Sequence, residues 1–433
     1  MKQKVSPCRS LAGEVSPPGD KSISHRAVIL NGIAEGEARL TNFSPGGDCL
    51  STVGCMKALG VEVAADFTGT APTLTIHGVD KRGLREAEDV LDAGNSGTTM
   101  RLLAGLLAAQ PFLSIITGDQ SLRSRPMDRI VRPLRLMGAS IWGRGGDSLA
   151  PLAIKGQRLH GIDYTLPVAS AQVKSALLLA GLFAEGSTSL EELAPSRDHT
   201  ERMLRQMGAG LHQEARHMRV SPLTSPLKAL DMRIPGDISS AAYWLVAGAI
   251  HPDARIRIRD VGLNPTRSGI IDVLQAMGAS IKIESQRVEG GEPVADLEIV
   301  SSSLRATEVS GEMVPRVIDE IPLIAVAASM AAGTTVIRDA AELRVKESDR
   351  ISTTAEELSK MGARIEPLPD GMVVRGVGRL VGASCHSHND HRLAMTIAVA
   401  ALVARGDTVI DSAEAVDISY PAFWSDLKRL STP

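Results

Sequence analysis

Hydrophobic residues fall along this 433-residue chain in two helical rhythms that take turns. In the first, as in Ala176-Leu177-Leu178-Leu179-Ala180-Gly181-Leu182-Phe183-Ala184 and Leu323-Ile324-Ala325-Val326-Ala327-Ala328, apolar residues cover every face. A helix of that kind has to be enclosed on all sides. A small-residue turn and a β-branched stretch come next and predict a strand: Ala38 to Phe43, Leu113 to Thr117, Thr188 to Leu190, Arg255 to Val261, Thr334 to Ile337 and Thr408 to Ile410. The second rhythm is amphipathic. It stops at Leu59-Gly60-Val61, Met137-Gly138-Ala139, Met207-Gly208-Ala209, Met277-Gly278-Ala279 and Met361-Gly362-Ala363, where the glycine predicts a left-handed C-cap. Strand pairs follow, such as Ser280 to Glu284 with Asp296 to Val300. The order β-α-β-α-β-β therefore recurs six times, the last copy truncated after Leu430.

Every enclosed helix opens on a polar signature. These are Lys21-Ser22-Ile23-Ser24-His25-Arg26, Asn95-Ser96-Gly97-Thr98-Thr99-Met100-Arg101, Ser170-Ala171-Gln172-Val173-Lys174-Ser175, Asp237-Ile238-Ser239-Ser240, Asp319-Glu320-Ile321-Pro322 and Asn389-Asp390-His391-Arg392, whose first residues lie 74, 75, 67, 82 and 70 positions apart. A helix N-terminus carries about half a positive charge and unpaired N–H donors, which makes it a natural anion site. Capping explains Ser, Asp and Asn at such places. It does not explain Lys21, Arg26, Gln172, Lys174 and Arg392. Enclosed parallel helices with sheets and amphipathic helices outside them predict an inverted α/β barrel. Three signatures precede residue 233 and three follow, so two similar three-copy domains are expected, with their helix starts facing a shared cleft that takes the ligand.

Length agrees with two domains, since 433 residues exceed the roughly 250–300 at which one core stops growing. A formal net charge of -3 argues against general binding to nucleic acid or a membrane surface, so anion affinity has to come from local clusters of Lys and Arg. Cys8, Cys49, Cys55 and Cys385 include no C-x-x-C pair and fit reduced thiols. Met1 to Ser10 lacks the apolar centre of a signal peptide, and the apolar run Leu393 to Ala404 is short of the ~20 residues that span a bilayer. A cytoplasmic protein without a membrane helix is expected.

Two signatures carry most of the chemistry. Around the first turn, Pro18 to Arg26 sets a lysine, hydroxyls and an arginine whose planar fork suits carboxylate or phosphate. Asp92 to Arg101 adds a glycine-rich turn whose N–H groups can approach an anion without Cβ hindrance. With Arg125-Pro126-Met127, Ser170 to Ser175, Arg197-Asp198-His199-Thr200-Glu201, Asp319-Glu320, Leu343 to Arg350 and Asp390-His391-Arg392, these stretches make the chain resemble the 5-enolpyruvylshikimate-3-phosphate synthases through nearly its whole length.

The resemblance implies a two-domain inverted α/β barrel of the enolpyruvyl transferase type, with residues 21–233 in one domain and 1–20 plus 234–433 in the other. It implies transfer of the enolpyruvyl group of phosphoenolpyruvate to the 5-hydroxyl of shikimate 3-phosphate, with release of phosphate, on the way to chorismate and aromatic amino acids. Bringing these substrates together concentrates about five negative charges, whose repulsion runs to several kcal/mol at an effective dielectric near 20, so cations must surround them. By resemblance Lys21, Arg125, Arg350 and Arg392 hold phosphoenolpyruvate, with the Gly97 backbone and Gln172 beside it. Lys21, Ser22, Arg26, Ser170, Ala171, Gln172, Asp319 and Lys346 hold shikimate 3-phosphate, helped by Arg197.

For the chemistry, Asp319 is assigned as base toward the 5-hydroxyl, Glu347 as the proton partner at carbon, and Lys21, its pKa lowered among other cations, as general acid toward departing phosphate. Structural alternatives exist: an N-cap for Asp319 and a helix-surface acid paired with Arg350 or Lys346 for Glu347. The scheme needs no metal or other cofactor. Cys385, His386, His388 and His391 do not match a standard zinc spacing and fit hydrogen bonding near Arg392.

The chain departs from some relatives in having Ile418 ahead of Ser419-Tyr420-Pro421 where they place a lysine, and Ser121 where they place an arginine, so it looks like a second sequence group. Glyphosate competes with phosphoenolpyruvate in this family, and tolerant members carry alanine at the place of Gly97. A monomer that closes around its substrates is expected. Two rivals are the related transferase acting on a UDP-amino sugar, which uses a loop cysteine where this chain has none between Cys55 and Cys385, and a non-catalytic polyanion-binding repeat protein, which would have no use for Asp319 and Glu347.

Overall fold

A computed structural model describes residues 1–68, 71–80 and 83–432. The chain divides into two compact units, one of Gly19–Ile234 with Glu289–Glu292, the other of Met1–Pro18, Pro235–Val288 and Pro293–Pro433. Each has its own hydrophobic core.

Helices that open on the polar signatures lie inside the cores. The helix Ile238–Ile250 is buried at every residue, His391–Ala401 likewise, and Ile321–Met330 at all but its last. Their counterparts in the other unit are Lys21–Gly32, Gly97–Leu107 and Ala171–Gly181. No polar face exists to turn toward water, so only a surrounding wall of sheet and amphipathic helix lets them bury, at about 1.5–3 kcal/mol for each large apolar side chain. This is the inverted α/β arrangement.

One sheet order serves every complete copy. In the unit beginning at Gly19, Leu113–Thr117 pairs antiparallel with Leu149–Lys155, which pairs antiparallel with Ser140–Gly143, and the short strand Leu91–Asp92 lies parallel on the other side. Thr188–Glu192 has the same neighbours in His217–Val220, Leu211–Glu214 and Asp163–Leu166. Ala34–Thr41 takes its parallel neighbours, Leu227–Lys228 and Met232–Arg233, from the chain leaving the third copy, so the three sheets are linked in a closed round. Register puts Leu40 opposite Leu74 and Ala38 opposite Ile76, all four fully buried.

In the other unit Ala254–Gly262 and Thr334–Ile337 repeat this order. The last copy differs: among the described residues its strand Thr408–Asp411 has no hairpin of its own and pairs antiparallel with Lys2–Val5 instead. The truncated repeat is completed by the other end of the chain.

The expected helix stops are present, with Gly60, Gly138, Gly208, Gly278 and Gly362 at φ of 91°, 96°, 87°, 95° and 86°. The first expected strand begins earlier than the sequence pattern indicates, at Ala34 rather than Ala38, because Glu35 and Gly36 already pair with Val79 and Gly78. Among the described residues no helix is long and apolar enough to cross a membrane.

Candidate functional site

The polar helix starts of each unit form a connected set. In the unit beginning at Gly19, Asp20 caps the first enclosed helix by accepting from the Ile23 N–H at 2.9 Å, which leaves Lys21 on the first turn. The Lys21 ammonium donates to Asp48 at 2.9 Å, so its immediate neighbour is an acid and not only the cations expected from sequence. Inside that turn His25 bonds Thr52 at 2.6 Å and Thr52 bonds Thr99 at 2.6 Å, tying the first helix to the second. Burial, then Lys21 and Arg26, hold the His25 imidazole well below its ordinary pKa and hence neutral.

Ser96 caps the second helix through the Thr99 N–H, and Gly97 follows it in a crowded place. A Cβ built on Gly97 would lie 2.8 Å from Arg101 Nη1 and 3.6 Å from Arg125 Nη1. Arg101 donates to the Gln172 side-chain oxygen at 2.5 Å and to the Pro126 carbonyl at 3.0 Å, while Gln172 donates to Thr98 at 2.9 Å. Arg125 is braced by Asn95, through its carbonyl at 3.2 Å and its side-chain oxygen at 2.7 Å, and by Ser121 Oγ at 3.1 Å. Gly97, Gln172 and Arg125 are thus neighbours, and Arg101, quoted in a signature but given no role, is the group that joins them.

Ser170 caps the third helix, and Ala171 and Gln172 form its first turn. Arg197 donates to Ser22 Oγ at 3.3 Å. The Arg26 guanidinium is buried and bonds inward, to Thr200 Oγ1 at 2.7 Å, the Ser22 carbonyl at 2.9 Å and Ser175 Oγ at 2.9 Å.

The other unit gathers acids and bases around one buried guanidinium. Arg350, the first residue of the helix Arg350–Lys360, is 1% exposed. It grips Asp390 with Nε at 2.7 Å and Nη2 at 3.1 Å, and reaches Glu347 at 2.6 Å and Asp319 at 3.3 Å. Asp390 also caps the helix His391–Ala401 through the Arg392 N–H at 2.9 Å. Arg392 lies 3.7 Å from Asp319 and 3.8 Å from Glu320. Burial pushes the Asp390 carboxyl up, but Arg350 outweighs it and holds the group below its ordinary value. Lys346 is pulled below the usual lysine pKa by burial, against the opposing pull of Asp319. Asp319 and Arg392 from two signatures, with Lys346, Glu347 and Arg350 from the stretch Leu343 to Arg350, therefore share one cluster.

Several sequence readings need adjusting. Asp319 is not the N-cap of its helix; Glu320 occupies that position without a side-chain capping bond. Glu347 does pair with Arg350, but from the loop before the helix rather than from its surface. Near the histidines, the ligand atoms that approach one another belong to Glu356, Glu357 and His388, and Lys360 already places its ammonium 2.8 Å from Glu357 and 3.2 Å from Glu356. Sequence reasoning quoted Asp390 as a capping residue without foreseeing its grip on Arg350, and it passed over Asp48, which no local signal marks.

The EPSP synthase (3-phosphoshikimate 1-carboxyvinyltransferase) family matches residues 5–427. The chain belongs to that family. Its relatives named 3-phosphoshikimate 1-carboxyvinyltransferase include the proteins of Chloroflexus aurantiacus, 57% identical over 423 residues (97% of this chain, 96% of that one), and Herpetosiphon aurantiacus, 54% identical over 432 residues (99% of each). Among solved structures, the EPSP synthase of Acinetobacter baumannii superposes with a TM-score of 0.88 at 43% identity, covering 99% of this chain and 98% of that one. The enolpyruvyl transferase NikO of Streptomyces tendae shares the fold alone, with a TM-score of 0.80 at 20% identity over 99% of this chain and 96% of that one. As a member of the EPSP synthase family the chain is a transferase of the shikimate pathway, and its two-unit inverted α/β fold is that of the enolpyruvyl transferases.

Proposed function

We propose that the two residue sets serve one reaction, in which the 5-hydroxyl oxygen of shikimate 3-phosphate attacks C2 of phosphoenolpyruvate while the methylene carbon takes a proton, giving a tetrahedral ketal. Loss of a proton from the new methyl group and of inorganic phosphate then leaves the enolpyruvyl ether. Asp319 accepts the hydroxyl proton, Glu347 exchanges the proton at carbon, and Lys21 donates to the departing phosphate. The observation that carries this reading is the fan of Asp319, Glu347 and Asp390 on Arg350, which holds two otherwise unexplained acids beside Lys346 and Arg392. A polyanion-binding scaffold would have no reason to set carboxylates among its cations.

Shikimate 3-phosphate is assigned to Lys21, Ser22, Arg26, Ser170, Ala171, Gln172, Arg197, Asp319 and Lys346. Phosphoenolpyruvate is assigned to Lys21, Gly97, Arg125, Gln172, Arg350 and Arg392. The Arg197–Ser22 and Arg101–Gln172 bonds support the first set, and the Asn95–Arg125 brace the second. The enzyme is read as a cytoplasmic monomer that requires no metal and is inhibited by glyphosate at the phosphoenolpyruvate position. Phosphate release should require both substrates together. Release with either alone, or none with both, would overturn the reading, and so would turnover of a UDP-amino sugar in place of shikimate 3-phosphate.

A further inference from the structure

Lys174 stands out in the sequence as a cation that helix capping does not explain, and nothing in the proposed reaction uses it. Its side chain is 1% exposed and is turned to neighbouring protein groups. The ammonium instead lies 2.7 Å from Glu201 and 3.0 Å from Glu192, and it donates to the Ser196 carbonyl at 3.3 Å. Glu192 is the last residue of the strand Thr188–Glu192, and Glu201 lies in the first turn of the helix His199–Gln206. The segment 193–198 between them carries Arg197. Glu192 closes on that segment as well, accepting from both the backbone N–H and the hydroxyl of Ser196. One position along the same helix, Ser175 bonds Thr200 at 2.7 Å and accepts from Arg26 at 2.9 Å. Two consecutive side chains of one enclosed helix thus fasten both ends of the segment from beneath.

Burying one ammonium with two carboxylates is costly unless the geometry is good, and removing the ammonium leaves two like charges without their common partner. From this geometry we infer that Lys174 is a positioning residue for shikimate 3-phosphate: it fixes the 193–198 segment so that Arg197 meets Ser22 and the phosphate held there. The inference rests on the proposed assignment of shikimate 3-phosphate to Arg197 and Ser22. A side chain that acts through Arg197 should tune the affinity for that substrate and leave phosphoenolpyruvate and the chemical step nearly untouched.

Steady-state kinetics of Lys174→Met, Arg197→Ala and the double variant test this. The KM for shikimate 3-phosphate should rise about tenfold or more in Lys174→Met, with kcat and the KM for phosphoenolpyruvate changed less than about threefold. The double variant should be no worse than Arg197→Ala alone, because a purely structural loss would add to it. An unchanged KM, a uniform loss in kcat, or additive effects in the double variant would overturn the inference. Should Lys174→Met fail to fold, Glu192→Gln, which loosens the same segment while keeping the Lys174–Glu201 pair, is read by the same criteria. A wild-type enzyme that does not turn over the two substrates would instead sink the functional reading, so the two failures are distinguishable.

Discussion

The two units equip the same architecture in opposite ways. In the unit beginning at Gly19, Arg26, Arg101 and Arg125 donate to hydroxyl, amide and carbonyl oxygens. In the other, Arg350 and Arg392 face carboxylates. A guanidinium braced by neutral oxygens keeps its charge for an incoming anion, whereas one surrounded by acids has part of it cancelled and in return holds those acids in place. The first arrangement suits gripping phosphate and carboxylate groups. The second sets the acids proposed to move protons beside the cations proposed to hold phosphoenolpyruvate. Lys21 with Asp48 and Lys174 with Glu192 and Glu201 are exceptions inside the first unit; Lys21 is the residue there with a proposed proton-transfer role.

Removing the hub of the acid-rich set should have the largest effect. Arg350→Leu leaves Asp390 buried without its main donor, and breaking a buried pair in this way costs about 3–5 kcal/mol. The pH dependence should also change sign. In the native chain Asp390 titrates below its ordinary value, so its contribution is present above the usual carboxylate range and is lost as pH falls through the lowered value. Without Arg350 burial raises that pKa, so the deficit should be greatest near neutral pH and shrink in acid as Asp390 takes up a proton. Urea unfolding of both chains between about pH 4 and 8 would show this; a pH-independent deficit would argue that Arg350 is not the partner that matters.

Next come the acids themselves. Asp319→Asn and Glu347→Gln keep shape and hydrogen bonding but remove the proton carriers, and kcat should fall by about 10²–10⁴ in each while the KM values move far less. If either variant lost only substrate affinity, the acid-rich unit would be a binding half like its partner and the contrast drawn above would fail.

How much of this contrast could be read before the fold was known depends on what periodicity encodes. The enclosed helices, their glycine stops and most of the strands were legible, because each is a local pattern of apolar spacing or of a single φ requirement. The clustering of Lys346, Glu347 and Arg350 was half legible, since they are close in sequence. Pairings over long separations were not: no local pattern links Lys21 to Asp48, or joins Arg101 to Gln172 across 71 positions. A helix that is apolar all round gives no polar face by which to aim its first turn. Nothing local therefore showed that Arg26 and Lys174 would both be buried, as they are. Completion of the last copy by Lys2–Val5 was equally hidden, because a strand of four residues carries no record of its partner.

Gly97→Ala probes the neutral-oxygen half at its tightest point. The new methyl would meet Arg101 Nη1 at 2.8 Å, closer than Cβ contacts occur, so the flexible guanidinium must move and loosen its bond to Gln172. A compact inhibitor filling the phosphoenolpyruvate position should feel this most. The inhibition constant for glyphosate is expected to rise about tenfold or more, equivalent to roughly 1.4 kcal/mol, with a smaller rise in the KM for phosphoenolpyruvate. Unchanged inhibition would mean that Gly97 does not border the ligand.

Ser121→Ala should have the smallest effect. Arg125 keeps both contacts to Asn95 and loses only the 3.1 Å bond to the Ser121 hydroxyl. Two of the three bonds remain and water can take the place of the lost hydroxyl, so the cost should be about 1 kcal/mol and the KM for phosphoenolpyruvate should rise roughly fivefold with kcat and thermal stability almost unchanged. Because no charge is removed, the pH profile of kcat/KM should keep its shape. That separates the variant from Asp319→Asn, in which a proton carrier is lost and the profile should lose a limb. A Ser121→Ala enzyme with an altered pH profile would show that the arginines of this unit take part in the proton traffic after all, and the division of labour between the units would have to be redrawn.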